Sequence, residues 1–105
     1  MIRLSVMYPA TVDSKFDWDY YLGPHLKFAH QLLDSYHLLR IEIDRGIAAF
    51  PPGEPLHFHA VGHLFFPSIG DLEKAMAATA SALIEDQRKY FSGQSVVQVN
   101  EVQDV

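Results

Sequence analysis

At 105 residues with 49% hydrophobic side chains, the chain is long enough to bury one core and too short for two domains. A formal charge of −5, with only 8 Lys and Arg and no basic cluster, leaves no footprint for a phosphate backbone, which excludes nucleic acid as an expected partner. The absence of cysteine removes disulfides, thiolate catalysis and thiolate metal sites together. No run approaches the ~20 apolar residues of a membrane span, and Met1–Ser5 lacks the layout of a signal peptide, so no membrane association and a cytoplasmic location are expected.

Ile2, Leu4, Val6 and Tyr8 alternate with Arg3, Ser5 and Met7, which predicts a first strand ended by Pro9. Next come the acids, aromatics and histidine of Phe16-Asp17-Trp18-Asp19-Tyr20-Tyr21-Leu22-Gly23-Pro24-His25, with Asp17 placed as a helix N-cap. Apolar residues then recur at three- and four-residue spacing through Phe28, Leu32 and Tyr36, the pattern of a helix. Pro24 has no N–H to donate, so this helix is expected to kink or to restart there, leaving His25 near a helix N-terminus.

Leu39, Ile41, Ile43, Arg45 and Ile47 alternate with Arg40, Glu42 and Asp44 in a second strand, followed by a Pro- and Gly-rich loop through Pro55. His57 to Phe66 predicts a third strand, with Phe58, Ala60, Gly62, Leu64 and Phe66 on one face and His57, His59, Val61, His63 and Phe65 on the other. Ser68 and Asp71 form a capping box before a second helix that reaches about Tyr90, and Val96–Val102 supplies a last strand. The order β-α-β-β-α-β with right-handed crossovers predicts an α+β, ferredoxin-like domain: a four-stranded antiparallel sheet with both helices on one face. The other face, too apolar for plain surface, is expected to meet that of a second copy across a shared cavity.

Four segments together resemble the EthD-like branch of the dimeric α/β-barrel superfamily. They are the Tyr8-Pro9 end of the first strand, Phe16-Asp17-x-Asp19-Tyr20-Tyr21-x-x-x-His25, Leu64-Phe65-Phe66-x-Ser68, and Val97–Val102 at the close. The resemblance implies one domain over residues 1–105, a homodimer whose sheets join in a barrel, and ligand pockets. Similar proteins are tied to degradation gene clusters and often labelled reductases, and neighbouring branches include isomerases, cyclases and monooxygenases. Two departures are visible: Pro24 precedes His25 where the family places a proline two residues after it. The segment Asp86–Ser92 is also one residue longer than the family's and lacks its Pro-Asn.

Tyr21 and His25, four residues apart on one helix face, are the candidate catalytic pair, with a neutral His25 as base or acceptor. Tyr8 and Tyr21 are candidate donors to a ligand oxygen, and Asp86 falls near the family's acid. Arg3, His59, His63 and Phe65 complete the candidate ligand contacts. His57, His59 and His63 share a strand face, but with no assured third and fourth ligand no metal is expected, and no glycine-rich fingerprint suggests a nicotinamide or other cofactor. These residues suit an enzyme of small-molecule catabolism acting on an apolar or aromatic oxygenated ligand by proton transfer, isomerisation or oxidoreduction; a non-catalytic carrier of a hydrophobic metabolite is the alternative.

Overall fold

The computed structural model describes residues 1–105. Its elements are β1 (Ile2–Pro9), α1 (Trp18–Tyr20), a π-helical turn (Tyr21–His25), α2 (Leu26–Leu33), a 3-10 turn (Asp34–Tyr36), β2 (Arg40–Arg45), β3 (Phe58–Phe66), α3 (Ile69–Gln87) and β4 (Val96–Glu101). The strands form one antiparallel sheet in the order β2-β3-β1-β4, the ferredoxin-like topology predicted.

Strand parity sorts the side chains. Register pairs Leu4 with Leu64 and Val6 with Gly62, while Ile41 also lies opposite Leu64, so these positions share the face under the helices. The core packs there: Leu4 and Phe66 from the sheet, Ala29 and Leu33 from α2, Leu72 and Ala75 from α3. Arg3 pairs with Phe65, Ser5 with His63 and Met7 with Val61 on the opposite face, which no helix covers. The same register sets the orientation of the second strand, placing Glu42 opposite His63 and Asp44 opposite Val61 on that open face.

Both predicted caps form. Asp17 accepts the Tyr20 N–H, and Ser68 Oγ accepts the Asp71 N–H while donating to the Asp71 carboxylate. The region around Pro24 differs from expectation. The helix does not restart; it widens by one π turn in which the Leu26 N–H reaches the Tyr21 carbonyl five residues back. Pro24 withholds the N–H that a regular α-helix would use, and the wider turn absorbs that gap. His25 is therefore inside a continuous helical segment and not at an N-terminus.

Leu33 is fully buried between α2 and the sheet, so truncating it leaves a cavity the surroundings can only partly fill. Leu33→Ala is expected to cost about 2–5 kcal/mol, read as a lower denaturant midpoint with an unchanged slope.

Candidate functional site

Between the sheet and its helices lies a cavity of about 350 Å³ lined by 20 residues, 16 of them hydrophobic. Leu4 and Val6 of β1, Ile41 and Ile43 of β2, Leu64 of β3, and Leu26, Ala29 and Leu33 of α2 supply much of its apolar wall; Met76, Ala80, Leu83 and Ile84 come from α3. Ile84 and Val97, 62% and 54% exposed, mark where it meets solvent beside β4. Polar chemistry gathers at one end, where Tyr8, Tyr21, His25 and Tyr90 converge.

Three local features bring these four together. The π turn stacks the rings of Tyr21 and His25, with centroids 5.7 Å apart and planes inclined by 18°. Gly62 leaves room for the Tyr21 hydroxyl, since a Cβ there would lie 2.6 Å from that oxygen. Beyond α3, the chain is stitched to the segment before α1: the Asp17 N–H donates to the Tyr90 carbonyl at 2.7 Å and the Ser92 N–H to the Lys15 carbonyl at 3.1 Å. That pairing holds the Tyr90 ring 4.5 Å from the His25 imidazole, centroid to centroid.

His25 and Asp86, each 7% exposed, form the charged centre. His25 Nδ1 lies 2.8 Å from Asp86 Oδ2, and the other carboxylate oxygen accepts from the Tyr20 hydroxyl at 2.9 Å and faces Lys89 Nζ at 3.3 Å. Burial pushes the His25 pKa below its ordinary value against the pull of Asp86. For Asp86, burial acts upward, but bonds from His25, Tyr20 and Lys89 outweigh it and hold the carboxyl below its usual range. Desolvation, and not a helix dipole, therefore favours the neutral imidazole of His25. Burial is also the largest effect raising the pKa values of Tyr8, Tyr21 and Tyr90, so all three stay protonated.

Tyr8, Tyr21 and His25 line the cavity, and Asp86 backs it through His25. Arg3, His59, His63 and Phe65 line no part of it. Odd-numbered positions of β1 and β3 face away from the helices, which removes Arg3, His63 and Phe65 from the cavity. On that face Ser5 Oγ is bonded to His63 Nδ1 at 2.9 Å, Asp44 Oδ2 lies 2.8 Å from His63 Nε2, and the Arg40 guanidinium sits 3.9 Å over the Phe65 ring. His59 is bonded to Ser14 Oγ at 2.8 Å and stacks on Phe16. No three of the His, Asp and Glu side chains converge as a metal-binding group. Sequence reasoning missed Tyr90; the one signal was its spacing of four from Asp86, which continues the inward face of α3 past the helix end.

Helices on one face of a β2-β3-β1-β4 antiparallel sheet, with a cavity between the layers, define an α+β protein of ferredoxin-like fold. The EthD domain model matches residues 10–94, and the chain belongs to that family. An EthD-like protein of Ralstonia eutropha JMP134 superposes with a TM-score of 0.86 at 26% identity, over 95% of this chain and 89% of that one. An ethyl tert-butyl ether D (EthD) family protein of Bacillus halodurans C-125 gives 0.75 at 18% identity, over 98% and 99% of the two chains. A dimeric protein of ferredoxin-like fold from Bacteroides fragilis gives 0.56 at 12% identity, over 96% and 95%. No curated protein matches the sequence.

A buried neutral histidine makes the fold sensitive to acid. Because the folded pKa is depressed, the unfolded chain binds the proton more readily once pH falls towards the ordinary value of 6.5, and stability drops as pH falls. Urea unfolding at pH 7.5 and about 5.5 is expected to show this loss in the parent and a smaller one in His25→Gln; equal losses would show that His25 is not held neutral.

Proposed function

We propose that this chain is a homodimeric enzyme that binds an apolar or aromatic small molecule carrying one or two oxygens and moves a proton on it, in an isomerisation or cyclisation. The observation that carries this reading is the buried Asp86–His25 pair at the tyrosine-rich end of an otherwise apolar cavity. An apolar pocket with a few convergent polar groups is the usual form of a small-molecule site. The aliphatic wall takes the ligand's hydrocarbon, and the hydroxyls of Tyr8 and Tyr21 meet its oxygen. His25 is the final base: Asp86 orients the imidazole and stabilises the imidazolium it becomes. Proton transfer of this kind needs only these side chains.

Support for the dimer comes from the uncovered sheet face, which carries Met7, Val61 and an Arg3 whose buried Nε has no partner within the chain. The Bacteroides fragilis relative of the same fold is described as dimeric.

Deuterium uptake from D2O into a panel of enolisable cyclic ketones and substituted phenols tests the chemistry. His25→Gln is expected to slow uptake roughly 10²-fold or more, the scale for losing a general base, while changing affinity far less. Saturable binding with no uptake in the parent would instead mark a carrier. Light scattering tests the assembly: the expected mass is twice the 11.9 kDa of one chain, and a monomer at micromolar concentration would defeat the dimer.

A further inference from the structure

Hydrogen-bond direction around His25 follows from an ionised Asp86, bond by bond. A carboxylate only accepts, so with Asp86 ionised His25 Nδ1 carries the ring proton and donates it to Oδ2 across 2.8 Å. Nε2 then holds the lone pair and accepts from the Tyr90 hydroxyl at 3.3 Å. Having spent its one proton, Tyr90 can meet Tyr8 Oη, 2.6 Å away, only as acceptor, and Tyr8 donates. The result is a directed row, Tyr8 to Tyr90 to His25 to Asp86. It also leaves His25 with no free nitrogen to show the cavity, although the ring lines it.

We infer that a ligand meets the hydroxyl end of this row and not the imidazole, with Tyr8 and Tyr90 passing its O–H proton to His25 Nε2. The inference rests on the cavity being the ligand site and narrows the ligand to an enol or a phenol, because a row of hydroxyls exchanges protons with an acidic oxygen. In the forward stroke the ligand O–H bond breaks and its proton bonds to Tyr8 Oη. The Tyr8 proton moves to Tyr90 and the Tyr90 proton to His25. The ligand is left as an oxyanion facing tyrosine hydroxyls, His25 as an imidazolium against Asp86, and both tyrosines neutral. No electron changes hands, and the reverse stroke returns a proton to the ligand. Burial resists a lone tyrosinate at any of these positions, which favours movement of the protons together. The groups facing His25 are Asp86 and Tyr90 on the α3 side and Tyr21 within its own turn, with Tyr20 and Lys89 acting through Asp86.

Long-range proton–nitrogen NMR on protein carrying 15N-histidine reads the row without a ligand. The expected result is the Nδ1–H tautomer in the parent, and in Tyr90→Phe a His25 titration midpoint raised by about 0.5–1 pH unit, the size of one neutral hydrogen bond to the uncharged ring. Tyr8→Phe removes an oxygen that does not touch His25 and is expected to move the midpoint the same way by less. A proton on Nε2 in the unmutated protein, or a Tyr8→Phe titration identical to the parent's, would overturn the relay; the first readout needs no variant to fold. p-Nitrophenol, added below its own pKa and followed by phenolate absorption, tests the ligand end. Bound probe is expected to ionise in the parent and at least tenfold less in both Tyr90→Phe and His25→Gln. Ionisation retained in Tyr90→Phe would mean direct contact with His25 and overturn the proposal. Failure of p-nitrophenol to bind where ketones of the panel do would overturn the phenol-like ligand class alone, whereas failure of every compound would refute the cavity reading and leave the NMR result standing.

Discussion

Burying a carboxylate is the constraint around which this molecule is arranged. Asp86 sits near the end of α3 at 7% exposure, where an unpaired charge would cost several kcal/mol. Three side chains answer it: His25 from the π turn, Tyr20 from α1, and Lys89 from the turn after α3. Each comes from a different part of the chain, so satisfying one acid ties the start of the first helical segment to the end of the last. Tyr90 and Tyr8 extend that tie to β1 through hydroxyls that themselves need partners when buried.

The same requirement shapes the cavity. A fully packed core would leave no space beside the cluster, and a fully polar one would admit water and relax the pKa of His25. Aliphatic residues from all four strands and from α2 and α3 make most of the wall, and His25, Gln87, Ser95 and the tyrosine hydroxyls are its polar groups. The outer sheet face follows different rules. Its Ser5–His63–Asp44 row is satisfied within the chain, whereas the buried Arg3 Nε is not.

Much of the fold was legible because strand parity and capping are local. Alternation in Ile2–Tyr8 and Phe58–Phe66 anticipated which residues lie under the helices, and Asp17 and Ser68 announced the helix starts. Tyr21 and His25 stood out as a polar pair on a helix. What stayed hidden was non-local or irregular. Gly23-Pro24 reads as a break, yet a π turn carries the helix through it, and nothing in the residue types distinguishes the two outcomes. Tyr90 lies just past the end of α3, and its place depends on pairing with Lys15–Asp17, more than 70 residues earlier. Arg3, His63 and Phe65 lie on the sheet face that alternation assigned them, away from the helices, and Ser14 and Phe16 hold His59 clear of the cavity beneath the helices.

Gly62 and Tyr21 constrain one another. The space a methyl would fill at this mid-strand position is taken by the Tyr21 hydroxyl. A phenylalanine at 21 would vacate that space, whereas an alanine at 62 would force the buried tyrosine to shift. The two positions are therefore free to change only in order, oxygen first and methyl second, and their energetic effects should not add. Glycine at 62 and the hydroxyl at 21 act as one packing unit, 41 residues apart in the chain.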